Sequence, residues 1–283
     1  MSALADRIEK ITGSLVQRVE PLAGGSVGEV YRVHLADGRT VVAKTGGPAS
    51  GLAVEGYMLR RLAELSELPV PVVLHADDVL LLMDYIPAGG RLDDGAQAHA
   101  AELLAALHTI RGDAFGFERD TRIGGLAQPN PPTERWLDFF RDQRLLHMGR
   151  EALRAKRLPA NLMDRIETLA GRLERWIEEP AHPALLHGDL WGGNILAQHG
   201  RVVGVIDPAI YYGAPEIELA FGTLFGTFGP PFFARYGQLQ PLRPGFHEER
   251  RELYNLYPLL VHVRLFGGSY VAAVERTLSR YGC

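Results

Sequence analysis

The stretch His187-Gly188-Asp189-Leu190-Trp191-Gly192-Gly193-Asn194, followed by Val205-Ile206-Asp207, places two carboxylates and one amide where they could share one task. Phosphoryl transfer from ATP needs a carboxylate that orients an attacking hydroxyl and accepts its proton. It also needs hard oxygen ligands that hold Mg²⁺ across the phosphates. Asp189, Asn194 and Asp207 are the right residue types. A short strand at 195–197, a turn at Gly200 and a second strand at 202–206 would bring all three to one cleft. The competing reading makes Asp189 and Asp207 helix caps and His187 a core histidine. Zinc chelation by His182 and His187 fits less well, because a spacing of five matches no standard zinc pattern.

Two further groups suit the same chemistry. Lys44 stands on a strand and Glu55 on the helix that follows, so a carboxylate could fix an ammonium that faces phosphates. By itself such a pair is no more than an ordinary surface contact. Gly24-Gly25-Ser26-Val27-Gly28 is a turn between two strands whose backbone N–H groups could approach phosphate oxygens, or it is a plain hairpin. The same five residues fit G-x-S-x-G, the nucleophile elbow of hydrolases. That motif requires a helix after the turn, whereas residues 30–44 read as a hairpin.

The positioning elements follow from patterning. Residues 15–22, 30–35 and 40–44 read as three antiparallel strands, the last two joined at Asp37-Gly38, a strong hairpin signal. Residues 51–65 carry Leu52, Leu59 and Leu62 at helical spacing. Pro69 and Pro71 interrupt the pattern before a buried strand at 79–83. The remainder is mainly helical, with helices expected over 97–110, 133–156 and 161–178 and the glycine-rich strand segment of 185–220 lodged among them. No internal repeat is present.

Composition narrows the field. A chain of 283 residues that is 46% hydrophobic has a sizeable core and suits two lobes. Its net charge of −4 provides no field for a nucleic-acid backbone or an anionic membrane surface. Since the single cysteine is Cys283, no intrachain disulfide and no cysteine metal cluster can form. A soluble, cytoplasmic protein is expected, because the first residues hold charges where a secretory signal needs apolar ones and no apolar run is long enough to span a bilayer.

These residues resemble the protein-kinase-like superfamily of small-molecule kinases, which includes aminoglycoside phosphotransferases and choline kinases. Within it, HGDLWGGN and IDPAIYYGAPEIELA look most like the fructosamine kinase family, the ketosamine 3-kinases. The likeness covers the whole chain and is strongest over residues 185–220. It implies an α+β, bilobal protein-kinase-like fold, with an antiparallel β-sheet N-lobe over residues 1–87 that binds nucleotide. A mainly helical C-lobe over residues 88–283 would hold catalysis and substrate. The implied activity is ATP- and Mg²⁺-dependent phosphorylation of the 3-hydroxyl of fructosamine, ribulosamine or erythrulosamine adducts, which then eliminate and restore the amine.

By the same resemblance Asp189 is the catalytic base, Asn194 and Asp207 hold Mg²⁺, and Lys44 reaches the phosphates with Glu55 as its partner. Gly24, Gly25, Ser26 and Gly28 cover the phosphates, and Met83, Asp84 and Tyr85 form the interlobe hinge beside the adenine. Trp191 and Tyr212 are expected to wall a sugar or a lysine stem, or else to pack in the core. His187 is expected to brace the loop or assist as an acid/base. One of Glu216 and Glu218 could meet the substrate's amine, or both could stabilise a helix N-terminus through its dipole; the structural role is expected of Glu218, and both roles stay open for Glu216. Because Pro208 follows Asp207, an activation switch of the protein-kinase type is not expected. Ser26 and Val27 stand where some relatives carry a cysteine, which rules out a disulfide there, while Cys283 at a mobile end could cross-link chains. The expected partner is a small ketosamine or a glycated lysine of a protein, acted on by a monomer, with neither nucleic acid nor membrane involved. A kinase for another small alcohol and a non-catalytic nucleotide-binding module are the alternatives. The complete residue set argues against the latter.

Overall fold

A computed structural model describes residues 2–22 and 28–283. After helix α1 (Ser2–Thr12), strands β1 (Val16–Pro21), β2 (Glu29–Leu35) and β3 (Thr40–Thr45) form an antiparallel meander. Helix α2 (Leu52–Leu65) follows, then β4 (Val73–Ala76) and β5 (Leu80–Asp84), and the five strands stand in the order β1-β2-β3-β5-β4. Alternation along β3 decides what each face does. Val41 and Ala43 join Val33, Leu35, Leu80 and Leu82 against Ile8 of α1. Val42 lies with Leu81 and Met83 against Leu52 and Leu59 of α2. Lys44 shares the second face with Val42, so its side chain points toward the helix that carries Glu55.

The edge strand β4 escapes the sequence reading because it is four residues long, half-buried throughout and preceded by two prolines. Gly56 explains how closely α2 lies on it: a Cβ there would stand 2.3 Å from that of Ala76.

Beyond the sheet the chain is mostly helical, beginning at α3 (Asp94–Leu107), whose N-cap Asp93 accepts a hydrogen bond from the Ala96 N–H at 2.9 Å. A short hairpin, β6 (Thr121–Ile123) and β7 (Leu126–Gln128), comes next. Helix α4 (Trp136–Phe139) continues through a π-helical stretch at Phe140–Leu146 into α5 (His147–Arg154), and α6 (Ala160–Ala170) lies beyond. The site segment supplies β8 (Ala184–Leu186), the hairpin β9 (Ile195–Gln198) and β10 (Arg201–Val205), and β11 (Tyr211–Gly213), which pairs with β8. Helices α7 (Pro215–Leu224), α8 (Pro230–Leu239), α9 (Arg251–Phe266) and α10 (Ser269–Arg280) complete the chain.

One large core joins these helices. At its centre Trp136, fully buried, stacks on Phe140 with ring centroids 5.5 Å apart and donates from Nε1 to the Tyr254 hydroxyl at 3.2 Å. The fold is α+β, with an antiparallel N-terminal sheet and a helical C-terminal lobe. Among the described residues no helix is long and apolar enough to cross a membrane. The C-terminus departs from the expected mobile end: the Cys283 carbonyl accepts from Arg165 Nη2 at 2.7 Å and its N–H donates to the Leu278 carbonyl at 3.1 Å. Half-buried Cys283 is therefore less available for cross-linking than an unpaired tail would be.

Candidate active site

Strand β8 delivers the chain into a turn with two tight requirements. Gly188 adopts φ +86°, and a Cβ there would lie 2.0 Å from the Ala209 carbonyl oxygen, so only glycine fits. The Ala209 N–H donates to the His187 carbonyl at 2.8 Å and the Ile206 N–H to the Asn194 carbonyl at 3.0 Å, which pins the two ends of the β9–β10 hairpin together. Asp189 and Asp207 thereby face one cleft from opposite sides of a short hairpin.

Asn194, buried at 4% exposure, donates from Nδ2 to both the backbone carbonyl of Asp189 at 2.8 Å and its Oδ2 at 3.2 Å. Its amide nitrogen is spent on the loop, which leaves its carbonyl oxygen for a cation. Burial, followed by the charge of Asp207, pushes the Asp189 carboxyl up to about 7 against the opposing hydrogen bond from Asn194. Asp207 holds φ +54°, a left-handed backbone uncommon for a residue with a side chain.

Lys44 closes the group. Its Nζ donates to Glu55 Oε1 at 2.6 Å and also to Asp207 Oδ1. Burial acts to lower its pKa, but the Glu55 and Asp207 carboxylates outweigh burial and hold the ammonium above its ordinary value.

These side chains line a cavity of about 600 Å³ together with Met83, Asp84, Tyr85 and Trp191. The hinge expectation needs refining here, since the N–H groups of Asp84 and Tyr85 already donate to the carbonyls of Val72 at 3.0 Å and Thr40 at 3.2 Å. Those two N–H groups are therefore engaged within the N-terminal lobe, which leaves the carbonyls of the segment as its remaining backbone groups there. Trp191 is 41% exposed, lies over Gly193 and meets Phe225 edge-on at 6.1 Å. Of the glycine-rich turn, Gly24, Gly25 and Ser26 lie outside the described residues. Gly28 has φ +79° and comes so near Thr45 that a Cβ would be 2.1 Å from its carbonyl oxygen.

Four further expected side chains lie outside the cavity lining. His187 is fully buried and cannot touch substrate; the Asp189 N–H donates to its Nδ1 at 3.4 Å, a bracing role. Tyr212 packs its ring against Gly112 and lies 5.6 Å from Phe117, so it does not line the cavity. Glu216 accepts two hydrogen bonds of 2.7 Å from the Arg250 guanidinium and is not available to an amine in the cleft. Glu218 does more than favour a helix terminus: it accepts from the N–H of Gly188 at 2.6 Å and of His187 at 3.3 Å, and meets His108 Nε2 at 3.0 Å. Burial would raise the Glu218 carboxyl, yet His108 and these donors hold it below the usual range. It thus anchors the turn that carries Asp189.

Sequence reading missed Arg122, Gly124 and Gly125 of the β6–β7 hairpin, all of which line the cavity. The Gly124-Gly125 pair between short apolar runs was the available signal.

Two outcomes follow. Glu216→Gln should cost about 3 kcal/mol of stability in urea unfolding, because it strands the buried guanidinium of Arg250, while leaving KM for the acceptor unchanged; a raised KM would return Glu216 to the site. The second concerns pH. Burial holds His147, His187 and His262 below 6.5. The unfolded chain takes up these protons near pH 6.5 and the folded chain resists them, so this stability is complete above pH 6.5 and is lost as pH falls below it. The decline between about pH 7 and 5 should be shallower in His187→Gln than in the wild type, and equal slopes would remove His187 from that account.

A family model for fructosamine kinase matches residues 1–281. The chain is 32% identical over 288 residues to the "probable ketoamine kinase" of Synechocystis, with 98% of this chain and 95% of that protein covered. A Thermobifida fusca crystal structure assigned as a fructosamine-3-kinase superposes with a TM-score of 0.87 at 32% identity, covering 99% of each chain. The aminoglycoside phosphotransferase APH(2")-IIa, in its streptomycin–ATP complex, shares the fold alone, with a TM-score of 0.65 at 17% identity over 99% of this chain and 96% of the other. A match that runs almost from end to end, over a cleft built from Lys44, Asp189, Asn194 and Asp207, makes this chain a member of the fructosamine kinase family.

Proposed function

We propose that this protein transfers the terminal phosphoryl group of ATP to the 3-hydroxyl of a ketosamine, with residues 1–87 binding nucleotide and residues 88–283 supplying catalysis and substrate contacts. The observation that carries the reading is Asp189, a carboxylate held by Asn194 at the floor of the cleft and raised to about 7, where it can take a proton near neutral pH. In the step, Asp189 accepts the hydroxyl proton, the substrate oxygen bonds to the terminal phosphorus, and the bond from that phosphorus to the bridging oxygen breaks to leave ADP. Elimination of the phosphorylated adduct then restores the free amine.

The donor set suits Mg²⁺. Among the described residues no cluster of three or more His, Cys, Asp or Glu side chains could hold a metal alone, and Mg²⁺ in such sites takes one or two carboxylates plus phosphate oxygens. Asp207 and the free carbonyl oxygen of Asn194 would hold it, and the ion when bound neutralises charge on the phosphates. Lys44, fixed by Glu55, orients the same phosphates, and Trp191 offers an apolar wall to the sugar or the lysine stem. The acceptor is a ketosamine on a small amine or on a protein lysine, met by a monomer in a reducing cytoplasm.

The test is ADP release from MgATP with fructosyl-lysine, ribulosyl-lysine, an aminoglycoside, choline and homoserine, and Asp189→Ala as control. Turnover confined to the ketosamines and lost in the variant is the expected result. Reaction with only the other alcohols would move the protein to another substrate class, and ATP binding without turnover would make it a non-catalytic binder.

A further inference from the structure

The cavity wall is acidic where it must receive a polyanion. Glu55, Asp84, Asp189 and Asp207 line it, against two cations, Lys44 and Arg122. Lys44 is held by two of those carboxylates. Arg122 is in a different position: among the described residues it makes no ion pair, and its Nη1 donates only to the carbonyls of Ala49 and Gly125, both at 2.9 Å. The side chain leaves the β6–β7 hairpin of the C-terminal lobe and lies across Gly51 of the N-terminal lobe, where a Cβ would stand 2.4 Å from Arg122 Cδ. A guanidinium has five donors in a rigid fork. Two carbonyls on one nitrogen satisfy part of that fork and none of its charge.

We propose that Arg122 is a catalytic residue that binds the terminal phosphoryl group of the nucleotide, stabilising the charge that spreads over its equatorial oxygens during transfer. The inference rests on the kinase reading above and adds a residue to it. Phosphoryl transfer puts negative charge on non-bridging oxygens, and an arginine is the side chain best matched to them. Lys44 cannot do this alone, since Glu55 and Asp207 already neutralise it. Placement on a hairpin also gives Arg122 a second property. Its bond to Ala49 joins the two lobes next to Ser50 and Gly51, which line the cavity, so engagement of the phosphate would be sensed at the start of α2, which carries Glu55.

The test compares nucleotides that differ only in the group concerned. Titration of Arg122→Met with ADP and with the β,γ-methylene analogue of ATP should show the analogue weakened at least about tenfold and ADP changed by less than about twofold, with kcat lowered about 10- to 100-fold. Arg122→Lys keeps the charge without the fork and should fall between the two. It also serves if Arg122→Met does not fold. Equal weakening of ADP and the analogue would overturn the proposal and reduce Arg122 to packing on Gly51. A change confined to KM for acceptors bearing a free carboxylate would overturn it as well and assign the oxyanion to the acceptor. Both titrations need no acceptor, so a wild-type protein that binds nucleotide yet phosphorylates no ketosamine would defeat the proposed function while this comparison still decides on Arg122.

Discussion

Asp189→Asn should lower kcat about 10²- to 10⁴-fold while the protein remains folded and, above neutral pH, becomes harder to unfold. The rate loss follows from geometry: the amide keeps the shape of the carboxylate and its contact with Asn194 but cannot accept the hydroxyl proton. The stability gain follows from linkage. Burial and the neighbouring Asp207 raise the Asp189 carboxyl to about 7 from 3.8, so the folded apoprotein ionises it less readily than the unfolded chain does. Stability tied to its protonated form is complete below pH 3.8 and is lost as pH rises through about 7. Asparagine does not titrate and escapes that loss. The metal-free wild type and variant should therefore have similar urea midpoints near pH 4 and diverge in favour of the variant by pH 8. A variant that unfolds earlier at every pH would show that Asp189 holds the loop together, and one that retains turnover would remove it as the base.

Lys44→Met should be costly in both respects. In the wild type its ammonium, 8% exposed, lies between Glu55 and Asp207, which are 19% and 31% exposed. Without it two carboxylates confront each other with no cation between them. Removing one partner from a buried charge group costs about 3–5 kcal/mol, and loss of one electrostatic contact to a transferring group costs about 10²–10³ in kcat. Stability and rate can be separated by a second change. Lys44→Met with Glu55→Gln removes one of the stranded carboxylates, so the double variant should regain much of the stability in urea unfolding and none of the turnover. If Lys44→Met unfolds at the wild-type midpoint, the ion group is worth nothing to the fold. If the double variant regains turnover, Lys44 acts only by holding α2 in place.

How much of this was legible follows the range over which each contact acts. Asp189 and Asn194 sit on one turn, and the β9–β10 hairpin returns Asp207 to it, so spacing alone predicts the convergence. Lys44 and Glu55 are likewise local, since alternation along β3 puts Lys44 on the face that the next helix must cover. The sheet was legible as far as its three-strand meander and β5. Short, half-buried β4 carries too little pattern to be seen.

Two expected contacts fail for one cause. Tyr212, on a short strand, and Glu216, in the first turn of α7, have suitable chemistry and lie in the right segment, but a few residues carry no period that fixes which partner each side chain meets; His187, on irregular backbone, takes the bracing role expected for it. His187 turns into the core, Tyr212 onto Gly112, and Glu216 to Arg250, a partner on a distant element. Arg122 shows the converse, an ordinary arginine in an unremarked stretch that becomes a cavity residue because its hairpin packs beside α2. The sequence by itself determined which chemistry to expect, because the candidate reacting groups are set by residue type and short spacing. Tertiary structure decided which neighbouring polar groups reach the cleft and which brace it, because that depends on contacts between elements far apart in the chain.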